Sequence, residues 1–487
     1  MAFSLLIPLL IFQFLHNKNT KPSRKPNPLG PTGLPFVGNL LQIDTSCMHE
    51  YLWELANKYG LLMSMKLGSR PLVVISSPRL AVEVLKNRDL VFSGRPKMKG
   101  QQKMSYNGLD IALAPYSQEW REMRKICILH LLSVKRVQQF RPIREDDVSQ
   151  MISRIVKDAT QSKVTNLSET MISVTSTMIG RIAFGKRLDE DGHEQRKFEE
   201  LVHEVHAMFL GFFFSDYFPS LGWMDKITGI NHRLERIFEK FDSFYQELIN
   251  EHLDPDRPES MNDDIIDLML QLQKDKSTSF DITMDHIKAF LMNVFLGGTD
   301  SSGIVVTWAM TALIKNPSVM KRLQGEIRQT MGNKEILDED EVEKLPFLKA
   351  TVKETLRLYP VAPLLMPRET LEKCKVDGYE IQPTWGIGRD PEIWENADEF
   401  RPDRFLNSDI DTKGQDYRYL PFGSGRRGCP GDYMGLITTH LLLANLLHSF
   451  DWELPPGIHK DDVETQSLPG FAMNKKNALK LLAKIPG

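Results

Sequence analysis

Cysteine is scarce in this chain of 487 residues, which contains four cysteines far apart in sequence. Neither the close spacing of a zinc site nor the density of a disulfide scaffold is present, and this usage is typical of a reducing compartment. The metalloprotease pattern HExxH is also absent. The pair His203 and His206 is interpreted as an ordinary helix face rather than a metal site. The cysteines are Cys47, Cys127, Cys374 and Cys429.

An excess of positive charge is missing as well, because 61 lysines and arginines face 64 acidic residues and the net charge is −3. No run of five like charges occurs, so nucleic acid is not predicted as a partner. With 41% hydrophobic and 26% charged residues, the composition is that of a globular protein with a large core. No Pro/Gly/Ser-rich linker interrupts the sequence after about residue 40, which predicts one catalytic domain over residues 39–487.

The N-terminus contains the one segment that is apolar almost throughout, residues 1–15, and Lys18, Lys21, Arg24 and Lys25 follow it. No lysine or arginine precedes the segment and no A-x-A site follows, which favours an uncleaved membrane anchor over residues 1–17 rather than a cleaved signal. Fifteen helical residues reach only about 22 Å, against a hydrocarbon core of about 30 Å. The positive flank predicts a catalytic domain in the cytosol. Residues 18–38, basic and rich in proline, are predicted to be a stiff hinge.

Helical periodicity dominates the remainder, so the predicted fold class is mainly α with a small β-sheet region. The predicted helices are Glu50–Tyr59, Pro78–Lys86, Gln118–Leu131, Ser133–Lys157, Leu167–Ala183, Glu194–Gly211, Asn231–His252 and Asp263–Lys274. The predicted strands are a hairpin of Leu61–Leu67 and Pro71–Ile75, and Ala478–Ile485 fits a strand or a helix.

Asp281–Lys315 predicts one unusually long helix, beginning at an aspartate suited to capping and ending before Pro317. Its centre is apolar on nearly every face, which fits burial through the protein or a membrane span. Asp300 and its polar neighbours favour burial, because a charge in lipid is costly.

The motif that carries chemistry is Phe422-Gly-Ser-Gly425-Arg-Arg427-Gly-Cys429-Pro-Gly431. Its glycines allow a tight turn that aims N–H groups at the sulfur, and these groups with a nearby cation favour thiolate over thiol. The motif resembles the cysteine-ligand loop of the cytochrome P-450 family, closest to its plant microsomal members. The resemblance implies haem b between the long helix and this loop, with Cys429 as the axial thiolate and Phe422 and Gly425 beside the cofactor.

The same resemblance assigns other residues. Trp120, Arg124, Arg368 and Arg427 match positions that face the haem propionates, where an arginine fork suits a carboxylate. Glu354 and Arg357, three apart on one helix face, together with Arg404 resemble the family's structural network below the ligand loop. Without the resemblance, Glu354 and Arg357 would fit a surface ion pair equally well.

Gly297-Gly-Thr-Asp300-Ser301-Ser resembles the family's oxygen-activation segment, in which a helix opens beside dioxygen and an acid and a hydroxyl relay protons. Asp300 and Ser301 match these two roles. The family usually has threonine where this chain has Ser301, and serine lacks the methyl group that restrains χ1. We therefore expect oxygen activation that is retained but leaks more peroxide.

The implied function is monooxygenation of a small, largely apolar specialised metabolite with O2. No flavin or nicotinamide motif occurs in the chain, so electrons are expected from NADPH through a separate NADPH-cytochrome reductase, with cytochrome b5 as an additional donor and membrane lipid of the endoplasmic reticulum as a further partner. Candidate substrate contacts are residues 93–115, 212–218, 361–366 and 468–473, where each segment could equally be core packing.

One departure from the family pattern concerns Pro383 and Thr384, where about seven residues of a strand are missing. Loss of that strand could leave neighbouring backbone groups unpaired at about 1–3 kcal/mol each, which predicts weakened haem retention. Two alternatives stay open: an impaired or non-catalytic haem-binding paralogue, and a haem-thiolate isomerase or dehydratase. Retention of Asp300 and Ser301 argues against the isomerase or dehydratase.

Overall fold

The computed structural model describes residues 28–187, 193–257, 264–276, 278, 280–332, 334–380, 384–385 and 394–486. The predicted anchor and the first part of the predicted hinge therefore lie outside the described residues. Helices dominate, as predicted. In chain order they are α1 Met48–Tyr59, α2 Pro78–Val82, α3 Lys99–Met104, α4 Gln118–Ile126, α5 Val134–Gln139, α6 Arg141–Thr160, α7 Leu167–Phe184, α8 His193–Phe209, α9 Phe214–Tyr217, α10 Met224–Ile227, α11 Ile230–Leu253, α12 Ile265–Asp275, α13 Met284–Gly298, α14 Ser301–Lys315, α15 Pro317–Met331, α16 Glu339–Val342, α17 Pro346–Leu358 and α18 Asp432–Ser449.

Three small sheets complete the described fold. The predicted hairpin is β1 Leu62–Leu67 antiparallel to β2 Arg70–Ile75, with Leu62 opposite Ile75. The second sheet has the order β3-β8-β7, and the third pairs β4 with β5. The ambiguous C-terminal segment is a strand, because β8 lies between two antiparallel neighbours. The remaining bounds are β3 Val164–Asn166, β4 Lys375–Val376, β5 Tyr379–Glu380, β6 Thr384–Trp385, β7 Asp451–Glu453 and β8 Lys480–Lys484.

The position of the missing strand is only partly described, since Pro383 lies outside the described residues. Directly after it, β6 pairs in parallel with β2, placing Thr384 opposite Val74 and Trp385 opposite Ile75. The hairpin therefore has a third strand at this edge, although only two residues long. The backbone partners that the missing strand was predicted to remove from the sheet are therefore partly replaced by β6.

The long predicted helix is present as two segments, α13 and α14. It begins at Met284, so the prediction of a start at Asp281 is wrong. Thr283 is the N-cap instead: its hydroxyl accepts a hydrogen bond from the His286 backbone N–H, and its own backbone N–H donates to the His286 ring. A second break separates Gly298 from Ser301. There the Thr299 carbonyl accepts a hydrogen bond from a group outside the helix, the buried Thr175 hydroxyl of α7.

Residues Met284–Lys315 are long and apolar enough to cross a membrane by composition, but most of this stretch is buried inside the protein. Its two halves belong to different hydrophobic clusters. Residues of α13 such as Phe290 pack with α11 and α7, whereas residues of α14 such as Leu313 pack with α17 and α18. The helix is therefore the shared core element, and its break lies between the two clusters. The prediction of a buried helix is confirmed.

The predicted helix Ser133–Lys157 is also divided, at Phe140, into α5 and α6. Pro142 occupies the second position of α6, where its missing N–H removes a donor that would have no helical partner. The periodicity of the two helices is continuous enough in sequence to hide this boundary.

Candidate functional site

The loop that carries Cys429 is closed at its base by a hydrogen bond from the Cys429 N–H to the Phe422 carbonyl, 2.8 Å long. Gly425 has φ of +68°, and a Cβ there would lie 2.7 Å from the Asp89 carboxylate. Glycine is thus required both by conformation and by space. Helix α18 begins three residues after the cysteine.

The Cys429 sulfur accepts a hydrogen bond from the Gly431 N–H. Burial raises the pKa of the thiol to about 11, while Gly431 and the Arg124 guanidinium lower it. The N–H group and the cation that were expected to favour the thiolate are therefore present, but burial raises the pKa of the thiol by more than they lower it. Cys429 nevertheless has exposed surface. A desolvated yet accessible sulfur is what an internal cleft provides, and a positively charged metal would compensate the thiolate charge there.

The helix break lies beside this loop. The Ser302 hydroxyl donates to the Gly435 carbonyl of α18 at 3.3 Å, and a Cβ on Gly435 would contact both Phe422 and Ser302. On the neighbouring face, a Cβ on Gly297 would meet nothing within 4 Å. The central helix thus contacts the start of α18 at Ser302, and it has open space next to Gly297.

Asp300 and Ser301 stand at this break. The Ser301 hydroxyl donates to the Gly297 carbonyl at 2.7 Å. Burial raises the pKa of Asp300, opposed by His206 and by a hydrogen bond with Thr299. His206, which the sequence placed on an ordinary helix face, has its pKa lowered by burial and raised by Asp300. The interaction between α8 and the break was not predicted, because no local pattern relates residues so far apart in sequence.

The three arginines predicted for the propionates converge on backbone carbonyls around the loop. Arg124 donates to the Gly428 carbonyl at 2.6 Å, and Arg368 donates to the Ser424 carbonyl at 3.0 Å. Arg427 donates to the Ala114 carbonyl at 2.7 Å. Its guanidinium carbon lies 4.0 Å from the centre of the Trp120 ring. The i, i+4 spacing of Trp120 and Arg124 by itself also fits an exposed cation–π pair, and the burial of Trp120 excludes that interpretation.

A fourth arginine, Arg95, joins them and was missed by the sequence analysis. It donates to the carbonyls of Ala112 at 2.9 Å and Pro367 at 2.7 Å. It lies within residues 93–115, which were interpreted only as substrate contacts. An arginine between glycine and proline in an apolar loop was the available signal, and by itself it is weak.

The chemistry of these arginines fits haem propionates. Burial lowers the pKa of all four arginines, that of Arg427 to about 9. The positive charges of Arg427 and Arg368 lower the pKa of Arg95 further. Asp89 and Asp110 are the acidic residues that raise these pKa values most directly. Three buried guanidinium groups and the half-buried one of Arg124, against the carboxylates of Asp89 and Asp110, leave an excess of positive charge, which two propionate groups would neutralise.

Glu354 and Arg357 form a fully buried ion pair with two contacts of 2.8 and 2.9 Å. Arg404 approaches the same carboxylate at 3.3 Å, and Arg357 also donates to the Ala397 carbonyl at 2.7 Å. The three residues predicted to form one network are thus in contact. Burial of both charges distinguishes this pair from an ordinary surface ion pair.

Three of the four candidate substrate segments are adjacent. The Met473 N–H donates to the Val361 carbonyl at 2.8 Å, and Arg95 connects Met366 to residues 93–115. The buried Trp308 indole donates to the Met473 carbonyl at 2.7 Å and stacks on Tyr359. The fourth segment, residues 212–218, reaches the first through the Asp216 carboxylate and the Lys99 N–H.

Known proteins are similar to this chain in sequence and in fold. The sequence profile of the family Cytochrome P450 matches residues 28–481. Xanthotoxol synthase of Pastinaca sativa is 48% identical, with 99% of this chain and 97% of the relative covered. The 6,7,8-trihydroxycoumarin synthase and a 5-OH-xanthotoxin synthase of the same plant are 49% and 48% identical, each covering 94% of this chain and 93% of the relative. A zebra fish cytochrome P450 solved with abiraterone superposes with a TM-score of 0.74 at 22% identity, over 90% of this chain and all of that one.

The fold and the cysteine loop define a haem-thiolate oxygenase. The chain belongs to the cytochrome P450 family and is a P450 monooxygenase whose cofactor is haem b with a cysteine thiolate ligand. Membership implies a redox partner, O2 and a small-molecule substrate.

Proposed function

We propose that this monooxygenase hydroxylates a coumarin-type substrate, a planar aromatic lactone. The observation that carries the proposed oxygenase chemistry is the accessible Cys429, in a loop next to α18, which contacts the central helix through Ser302 and Gly435 just after the break, with open space at Gly297. The substrate class is supported by relatives of 48–49% identity that are named for xanthotoxin and trihydroxycoumarin products. Their nearly equal identity gives no preference for one product, so the ring position is left to experiment.

We assign the roles of the site residues within this proposal. Haem, when bound, supplies oxygen activation at its iron, and a thiolate ligand favours O–O cleavage. Cys429 would hold the iron, with Phe422 and Gly425 shaping its loop. Arg95, Arg124, Arg368, Arg427 and Trp120 would hold the propionate side. Glu354, Arg357 and Arg404 would fix the loop from below.

Proton delivery is assigned to the helix break. Asp300 would hold and release a proton at the break, and burial, which raises the pKa of its carboxyl, favours that role. Ser301 would present its hydroxyl towards the open space, which requires its bond to the Gly297 carbonyl to be exchanged. His206 is in position to tune the Asp300 charge from α8.

Substitution of Ser301→Thr is expected to lower the ratio of peroxide released to NADPH consumed by about two- to fivefold. The added methyl restrains χ1, and fixing one torsion is worth roughly 0.5–1 kcal/mol. The assay is peroxide and NADPH stoichiometry with reductase and substrate. Ser153→Thr is the control, since its hydroxyl makes the same bond to the carbonyl four residues earlier, on the exposed face of α6. An unchanged ratio contradicts the role of Ser301.

A membrane location is proposed with the N-terminal anchor over residues 1–17, in the endoplasmic reticulum, with the catalytic domain facing the cytosol. Residues 28–41 and 221–227 expose large apolar side chains that would contact lipid. The turn between β1 and β2 links residues 28–41 to the chain just before residue 221, because the Gly68 N–H donates to the Val37 carbonyl at 3.0 Å and the Ser69 N–H donates to the Tyr217 carbonyl at 2.7 Å. NADPH-cytochrome reductase, with cytochrome b5 as a second donor, is the proposed electron source. The exposed apolar residues include Leu29, Phe36, Leu41, Trp223 and Ile227.

The deciding experiment begins with haem content and the reduced-CO difference spectrum of the full chain. The departure at Pro383 predicts faster haem loss than in the relatives, and full haem with a stable thiolate-type band contradicts that prediction. Coumarins are then titrated for a substrate-induced spin shift and for NADPH oxidation with reductase. Oxygenated product supports the proposal. Haem binding without coumarin-dependent turnover favours the non-catalytic alternative, and conversion of an oxygenated substrate without NADPH favours the isomerase or dehydratase.

A further inference from the structure

Residues 110–114 form a short segment whose polar groups are paired with unusual completeness. The carboxylate of the buried Asp110 accepts from the backbone N–H groups of Ala112 at 3.1 Å and Leu113 at 3.0 Å. Asn293 of α13 reaches the same segment from the other side. Its amide nitrogen donates to Asp110 at 2.9 Å, and its amide oxygen accepts from the Ile111 N–H at 2.8 Å.

The carbonyl groups of the same segment serve the candidate haem-binding side chains. The Ile111 carbonyl accepts from the Trp120 indole at 2.9 Å, and the Ala112 carbonyl accepts from Arg95 at 2.9 Å. Ala114 accepts from Arg427 at 2.7 Å. The N–H groups of this segment are therefore fixed by Asp110 and Asn293, and its carbonyls in turn orient one tryptophan and two arginines.

We infer that Asp110 and Asn293 are a positioning pair that fixes segment 110–114 to the central helix and thereby sets both the arginine cluster and one wall of the substrate cavity. Asparagine is suited to this role because its amide donates to a carboxylate and accepts from backbone at once. An aspartate at 293 could not donate, and an alanine could do neither.

The location of Asn293 connects the pair to the open side of the helix. Asn293 and Gly297 are four residues apart on α13 and share a face. Gly297 is the position where an added Cβ would meet open space. Segment 110–114 is therefore held by the same face of α13 that borders the open space at Gly297. Burial raises the pKa of Asp110, while its three hydrogen-bond donors and Arg427 lower it.

The test compares four variants of the full holoenzyme: Asn293→Ala, Asn293→Asp, Asp110→Asn and the exchange Asp110→Asn/Asn293→Asp. Each single variant leaves a donor or acceptor of this buried segment unpaired. The exchange variant restores one donor facing one acceptor with the same total charge. We expect amide hydrogen exchange at residues 111–113 to rise about tenfold in the single variants, since 1.4 kcal/mol corresponds to a tenfold change, and to recover in the exchange variant.

Two further readouts separate positioning from general stability. Transfer of haem to apomyoglobin should accelerate about tenfold in the single variants, and the dissociation constant for the spin-shifting substrate should rise more than kcat falls. Only these two readouts rest on the proposed function; the hydrogen-exchange arm remains decisive if no coumarin binds. Asn87→Ala, which removes an exposed amide contact to Glu83, is the control and should change none of them.

Faster exchange spread over the whole protein, without enrichment at residues 111–113, would overturn the inference. An exchange variant no better than the singles would also overturn it, because the pairing would then not matter. Exchange and haem transfer that change together at this segment and recover together support it.

Discussion

Cys429→Ser should abolish the thiolate-type band in the reduced-CO difference spectrum and reduce monooxygenation by more than about a hundredfold. Loss of an outer-shell partner already costs up to about a hundredfold, and here the ligand itself is replaced. A serine hydroxyl keeps the shape of the loop, since the Cys429 N–H bond to the Phe422 carbonyl is a backbone contact. The fold should therefore persist while the electronic effect of sulfur on iron is lost.

Cys47→Ser is the matched control for this substitution. Cys47 is the N-cap residue of α1, where serine is a favourable residue, so folding and haem spectrum should be unchanged. Near-ultraviolet circular dichroism of both variants reports on the fold. An unaltered Soret absorption in Cys429→Ser, with full haem, would show that the iron is held by another group.

Glu354→Ala should reduce the yield of folded holoprotein to a small fraction of the wild-type yield. It leaves the buried charge of Arg357 and the partly buried charge of Arg404 without their carboxylate, and breaking a buried ion pair costs about 3–5 kcal/mol. The measurements are soluble yield, haem per chain and the midpoint of thermal unfolding.

Asp403→Ala is the corresponding control. Asp403 pairs with Arg322 at 2.8 Å, and both side chains are more than half exposed. An exposed pair contributes about 0–1 kcal/mol, so this variant should remain close to wild type. A yield of Glu354→Ala equal to that of Asp403→Ala would mean that the network is dispensable. Retained folding with lost haem would instead restrict its role to the ligand loop.

Much of the fold was predictable because local periodicity specifies it. The hairpin β1–β2 and helices such as α7 and α11 follow the alternation and the helical spacing of their apolar residues closely. The predicted start of the central helix was wrong, because Asp281 and Thr283 are both good capping residues. The side-chain contact of His286 with Thr283 decides between them. Its break at Thr299 depends on a hydroxyl from α7, which no local pattern contains.

The candidate site divides in the same way. The Cys429 loop and the Glu354–Arg357 pair are short motifs whose spacing carries the geometry, so sequence placed them well. Arg95 reaches the carbonyls of Met366 and Pro367, and His206 interacts with Asp300, in each case more than ninety residues away. Nothing near Arg95 or His206 in sequence distinguishes them from other arginines and histidines. Long-range electrostatic neighbours therefore required the three-dimensional structure.

The division of the central helix between two hydrophobic clusters has a mechanical consequence. Helix α7 joins the two clusters, because Met178 packs in the cluster of α14 and Ile179 in the cluster of α13. Thr299 is fully buried and its carbonyl is bonded to the Thr175 hydroxyl, so any change in the angle between the two halves must also move α7. The width of the site above the cysteine loop is therefore set by two helices together rather than by the central helix alone.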